Sequence, residues 1–208
     1  MPRSLDAEER NRLVSEAAWK VLVRDGIPAL SVRRIAAEAG LPPSSLRYTL
    51  PTQASVRIKA YEMVLERITA RIAAIPGDDD RWARGMLLEL LPLDERRRLE
   101  MEVFLALGTA AMTDPALHQT HRAAHQAVRD LCERAVRTLS PEADDTSVEA
   151  ERLHAVTDGL ALHLVRQGPD DDTTWAVRVL DIHLAQLGRA GPAVRARTPG
   201  AGNPPGGS

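Results

Sequence analysis

Apolar residues return with a helical period through almost every long stretch of this chain, while alternating Val/Thr/Tyr runs and Asn-Gly hairpin signals are missing. A roughly 3.6-residue period places one stripe of each segment on a core, and the lack of period-2 segments leaves no candidate strand. The chain therefore reads as all-α. The first helix begins near Asp6, where Asp6 and Glu9 have capping-box spacing, and carries Leu13, Val14, Ala17, Ala18, Val21 and Leu22 inward. Gly26 and Pro28 stop it. Ser31 caps a second helix over Val32 to Ala39, Gly40 closes it, and Pro42 and Pro43 open a third. Longer helices follow from about Thr52 to Ala74, Asp79 to Leu91, Asp94 to Met112, Asp114 to Leu139, Asp145 to Val165 and Asp171 to Leu187. Glycines, prolines and small polar residues fill the end, which reads as a disordered tail over 189–208. The expected division is 1–51, 52–188 and that tail.

Length and cysteine content narrow the class. With 208 residues the chain can bury a sizeable core, and a lone Cys132 forms neither an intramolecular disulfide nor a zinc cluster, as suits a reducing cytoplasm. No apolar run approaches the roughly 20 residues of a bilayer span, and Met1 to Asp6 lead into charge rather than into a signal peptide. A cytoplasmic protein without a membrane partner is the expectation. The net charge of −2 speaks against nucleic acid until it is divided by segment. Residues 1–60 hold ten basic and six acidic side chains, a surplus of four positive charges, so the remainder carries −6. Only Lys20 and Lys59 are lysines, so arginine abundance reflects coding bias and is not itself evidence of DNA binding.

The basic segment contains a helix-turn-helix spacing. Ala36 lies four residues before Gly40, Leu41 follows the glycine, and Leu46 comes five later. A small Ala36 admits the next helix, Gly40 supplies a positive φ, and Ile35, Leu41 and Leu46 fill the wedge between helices. Arg33, Arg34 and Arg47, with hydroxyls on Ser31, Ser44, Ser45, Tyr48, Thr49 and Thr52, suit phosphates and base edges of double-stranded DNA. The plainer reading is a solvated helical hairpin kept soluble by its arginines.

Residues 8–60 resemble the DNA-binding domain of the TetR family (tetracycline-repressor-like). The resemblance rests on Asp25-Gly26, on Leu30 to Leu41 and on Ser44-Ser45-Leu46-Arg47-Tyr48-Thr49-Leu50-Pro51-Thr52-Gln53. It implies a homodimeric regulator, usually a repressor, that leaves a pseudo-palindromic operator when a small molecule binds the C-terminal body. By the same resemblance, Ser31 with Arg33 or Arg34 touches backbone or bases, Pro43, Ser44 and Ser45 open the recognition helix, and Tyr48 takes a phosphate or base. Two departures stand out: Arg47-Tyr48-Thr49-Leu50 replaces the family's aromatic and His-rich run, and Gln53 replaces a phosphate-gripping lysine.

For the body, Asp158-Gly159-Leu160 looks like the penultimate helix of such regulators, whose last two helices pair with their copies. Gly159 permits close approach, while Leu160, Leu164, Leu180, Leu184 and Leu187 offer apolar area for a dimer, or else serve only the subunit core. Trp82, Met86, Met101, Phe104, Met112, His121 and His125 are the expected ligand-pocket residues, against the alternative that they are core packing. His118, His121 and His125 share a helix face, but no Cys or helix-borne carboxylate completes a ligand set, so no metal is expected. Acidic runs at Asp78 to Asp80 and Asp170 to Asp172 read as helix caps. No catalytic motif and no cofactor site emerge, and Cys132 reads as core. The leading expectation is a ligand-responsive repressor in which effector binding shifts the helix near Tyr61 to Arg71. That shift alters the spacing of two recognition helices that must fit half-sites roughly 34–36 Å apart. The rivals are an activator or effector-independent regulator of the same fold, and an all-α enzyme or carrier.

Overall fold

The computed structural model describes residues 7–143 and 145–188. The expected cap at Asp6 and the expected tail over 189–208 lie outside the described residues. Within them the chain is all-helical: α1 (Ala7–Asp25), α2 (Val32–Ala39), α3 (Pro43–Leu46), α4 (Gln53–Ala73), α5 (Asp80–Glu89), α6 (Glu95–Ala111), α7 (Pro115–Leu139), α8 (Thr146–Arg166) and α9 (Thr174–Leu187), with a short 3-10 turn at Ile27–Ala29. None of these helices is long and apolar enough to cross a membrane.

Side-chain caps set most of the boundaries. Ser31 accepts from the Arg34 amide, Asp94 from Arg97, Asp114 from Ala116, and Asp145 from Ser147 and Val148. Each satisfies amides that the first helical turn leaves without a carbonyl. Of the two acidic runs, Asp79 caps α5 by accepting from the Arg81 and Trp82 amides. In the other, Asp172 accepts from the Thr174 amide and Asp171 from the Gly168 amide. At the turn after α2, Gly40 adopts φ 66°, its amide reaches back to Ala37 O, and the Leu41 amide reaches Ala36 O at 2.9 Å. That left-handed step is what glycine supplies without steric cost.

Two apolar clusters build the interior. The first joins α1, α2, α3 and the front of α4 through Val21, Leu22, Ile35, Leu46, Val56, Tyr61 and Val64, and it extends to Val103, Leu107 and Ala124. The N-terminal module thus does not close on itself at residue 51: α4 is half its wall and is also packed against α6 and α7. The second cluster holds α5, α7, α8 and α9 together around Trp82, Met86, Leu87, Cys132, Leu153, Leu164 and Leu180. Ile68 of α4 packs against both.

Polar ties fix α4 to its neighbours. Arg71 forms two bonds to Glu100 (2.6 and 3.0 Å) and one to Glu89 (2.6 Å), linking α4 to α6 and α5. Glu100 is only 1% exposed, so its charge is tolerable because the guanidinium fork meets both oxygens. Arg67 stacks 3.8 Å over Trp19 of α1, a cation–π contact that joins α4 to the first helix. Arg98 of α6 donates to Leu164 O, Val165 O and Gln167 O, closing the carbonyl end of α8.

Candidate DNA face and effector cavity

Short helix α3 and the two segments around it make the candidate DNA face. Ser31, Arg33, Pro43, Arg47, Thr52 and Gln53 come together around one shallow surface concavity, with Val32 and Pro51 completing it. Arg33 and Arg47 are exposed and make no ion pair among the described residues, and Tyr48 stands 93% exposed. At that exposure its ring contributes nothing to the core.

Other residues expected on this face have internal partners. Arg34 pairs with Asp25 at 3.1 Å. Ser45 Oγ donates to Pro42 O (2.7 Å) and Thr49 Oγ1 to Leu46 O (3.2 Å). Thr52 caps α4 by accepting from the Ser55 amide, and Gln53 Nε2 donates to Leu30 O at 2.8 Å, tethering the start of α4 beside the start of α2. Ser45 and Thr49 each give their one hydroxyl proton to a carbonyl of the loop, and Thr52 and Gln53 hold the start of α4. The positions left to reach a phosphate are Arg33, Arg47, Tyr48, Ser44 and the first amides of α4.

The body contains a partly open cavity of about 70 Å³ between α4, α6, α7 and α8. Leu65, Ile68 and Ile72 of α4 face Met101 and Phe104 of α6, Val128 and Leu131 of α7, and Thr157 and Asp158 of α8, with Leu90 and Leu91 at one end. Three carboxylates, Glu89, Glu100 and Asp158, border it against one arginine, Arg97. Of the seven residues expected there, Met101 and Phe104 line it. His121 and His125 stand behind Phe104, ring centroids 6.3 and 6.1 Å away. Three expectations are corrected. Trp82 and Met86 are buried in the second cluster, because the inner face of α5 packs on α7 and α9, and Arg134 covers the indole at 3.9 Å. Met112 is 79% exposed at the end of α6, past the point where the helix faces the cavity.

The leucines expected at a dimer contact are also corrected. Leu160, Leu164, Leu180, Leu184 and Leu187 are between 0 and 7% exposed within one subunit. Their side chains pack in the second apolar cluster. Gly159 is half-buried with open space where a Cβ would stand. Val148 of α8, with Val179 and Ile182 of α9, is instead exposed by 43 to 57%.

The helix-turn-helix and helical body therefore agree with what known proteins show. The sequence model described as BetI-type transcriptional repressor, C-terminal, matches residues 79–189, more than half of the chain. This chain belongs to the TetR family of transcriptional regulators. The HTH-type transcriptional regulator PksA of Bacillus subtilis (strain 168) is 34% identical over 168 residues, covering 78% of this chain and 82% of that protein. The crystal structure of a transcriptional regulator from Rhodococcus sp. Rha1 superposes with a TM-score of 0.71 at 25% identity, covering 85% of this chain and 95% of that one. The multidrug binding protein EbrR, complexed with imidazole, gives 0.65 at 29% identity over 88% and 93% of the two chains. EbrR has also been captured with malachite green and with ethidium. TetR-family regulators bind operator DNA and small-molecule effectors as dimers, and these relatives are regulators rather than enzymes.

Sequence reasoning missed most of this TetR-family cavity. Its α4 wall reads as an ordinary inward stripe, and Asp158 reads as part of a helix–helix motif. The available signal was a carboxylate beside the apolar stripe of each of two helices, Glu89 on α5 and Asp158 on α8.

Proposed function

We propose that the chain is a dimeric repressor released from its operator by an apolar organic cation held between α4, α6, α7 and α8. The observation that carries this reading is the cavity itself: an apolar lining bordered by Asp158, which pairs with no arginine among the described residues, and by Glu89 and Glu100, which Arg71 and Arg97 hold in ion pairs. A ligand of positive charge and large hydrophobic area meets both properties. The dyes bound by EbrR, malachite green and ethidium, are of that chemistry.

The cavity's size supplies the mechanism. Ligand sites for drug-sized molecules run from about 300 Å³ upward, and about 70 Å³ is far below that. An effector must therefore displace its walls, and one wall is α4. Leu65, Ile68 and Ile72 line the cavity from the same helix whose front half carries Val56, Ala60, Tyr61 and Val64 in the core of the DNA-binding module. A wedge at one end of α4 thus moves the recognition helix at the other, and a dimer on two half-sites loses affinity when that spacing changes. Arg33, Ser44, Arg47 and Tyr48 make the DNA contacts, with Arg34, Ser45, Thr49, Thr52 and Gln53 shaping the loop that presents them. The subunits meet through the outer faces of α8 and α9, around Val148, Gly159, Val179 and Ile182.

The test is fluorescence anisotropy with duplex from the region upstream of the chain's own gene, using tetraphenylphosphonium as a cation that does not intercalate. Release of the duplex by the cation, with the response altered in Phe104→Ala and ligand-free affinity kept, supports the reading. A wild-type complex that ignores the cation while binding DNA contradicts it.

A further inference from the structure

A line of polar rings crosses the body beside the cavity. Tyr61 of α4 meets His121 of α7, hydroxyl to Nδ1, at 2.9 Å. His121 stands edge-on to His125 with centroids 4.6 Å apart, and His125 lies 5.6 Å from His154 of α8. At the end of this line one ligand atom each from His125, His154 and Asp158 lies within 4.8 Å of the other two. His154 Nε2 and Asp158 Oδ2 are 3.5 Å apart.

The geometry points to a binding site for one divalent transition-metal ion of the zinc class, held by His125, His154 and Asp158. His154 and Asp158 are one turn apart on α8, the spacing that puts two side chains on one face. His125 comes to them across the α7–α8 contact. An ion with bonds of about 2.0–2.2 Å to nitrogen and oxygen separates tetrahedral ligands by roughly 3.3 Å. The trio therefore closes on an ion by small side-chain rotations. Two imidazoles and one carboxylate select zinc, cobalt or nickel over calcium and magnesium, which need an oxygen shell. A simple ion pair between His154 and Asp158 does not account for the second imidazole in the same space. Ring packing restrains His125: His121 stands edge-on to it and is itself held by the Tyr61 hydroxyl and by the space at Gly108, where an added Cβ would lie 3.0 Å from the His121 ring. Asp158 borders the cavity, so the coordination positions that protein leaves open face that space. The histidine stripe on α7 is thus split in use: His118 is exposed and outside the trio, His121 supports, and His125 binds.

The site is independent of operator release and is tested without DNA. Tag-free full-length protein, stripped with EDTA and dialysed, is titrated with Zn²⁺ by calorimetry and with Co²⁺ by visible absorption. One ion per subunit is expected, with affinity reduced by at least about ten-fold in His154→Ala and in Asp158→Asn and unchanged in His118→Ala. Asp158 is 53% exposed at its side chain, so Asp158→Asn remains a folded variant if His154→Ala does not. Absence of zinc uptake by the wild type overturns the assignment, as does uptake that Asp158→Asn leaves unaltered.

Discussion

At the scale of single residues, the DNA face separates side chains that reach outward from those that hold the loop. Arg47 has no ion pair among the described residues, whereas Arg34 pairs with Asp25. Arg47→Ala should weaken duplex binding and lower the slope of log affinity against log salt by about 1, the loss expected for one phosphate contact. Anisotropy titrations over a range of salt concentrations check this, and an unchanged slope would remove Arg47 from the interface. His183 of α9 makes a different prediction. Burial holds its imidazole below the ordinary histidine range, Arg152 of α8 adds to that and Glu149 of α8 opposes it, and Nε2 has no hydrogen-bond partner among the described residues. The unfolded chain takes up this proton first as pH falls, so stability present above about pH 6.5 declines on acidification toward the lower folded value. Urea melts at pH 7.5 and pH 5.5 should show that decline, and His183→Asn should reduce it. Much at this scale was legible in the sequence. Ser31 as a cap and Gly40 as a left-handed turn follow from local chemistry. The internal bonds of Ser45, Thr49 and Gln53 were not legible, because they depend on which carbonyl the folded loop brings near.

At the scale of elements, α4 is the part on which the account turns. Its Arg71 neutralises the buried Glu100 and also binds Glu89. Arg71→Met leaves Glu100 with only the longer Arg96 contact at 3.5 Å. A loss of ~3 kcal/mol in unfolding free energy is expected, the scale for stranding a buried charge. The last two helices carry a second contrast. Leu180 is wholly buried within the subunit and Ile182 is 57% exposed beside it. Leu180→Ala should cost roughly 2–5 kcal/mol of stability, whereas Ile182→Glu should leave the fold intact and yield monomers in sedimentation experiments. Periodicity identified both helices and their extents. It did not say which apolar residues face inward and which stay exposed, because Leu180 and Ile182 differ by two positions on a helix that carries apolar residues on both faces. The cavity was half legible for a related reason. Met101 and Phe104 stand out by residue type, but Trp82 and Met86 have the same character and lie on a helix turned toward a different core. His125, His154 and Asp158 are separated by a whole helix-to-helix contact, and sequence spacing within α7 alone pointed to the wrong partners.

At the scale of the whole molecule, the two apolar clusters meet along α4, with Ile68 packed against both. A TetR-family regulator built this way couples its halves mechanically, since the cavity cannot enlarge without moving the helix that the DNA-binding module uses as a wall. The charge division seen in the sequence acquires its meaning here: the surplus of four positive charges belongs to the module that approaches phosphate, and the acidic body surrounds the cavity with carboxylates. The most direct test of this coupling is the affinity of the dimer for its upstream duplex, measured by anisotropy at fixed salt with and without saturating tetraphenylphosphonium. A fall of at least about ten-fold, equivalent to ~1.4 kcal/mol of coupling, is the predicted result. Affinity unchanged when the cation is shown by calorimetry to be bound would contradict it.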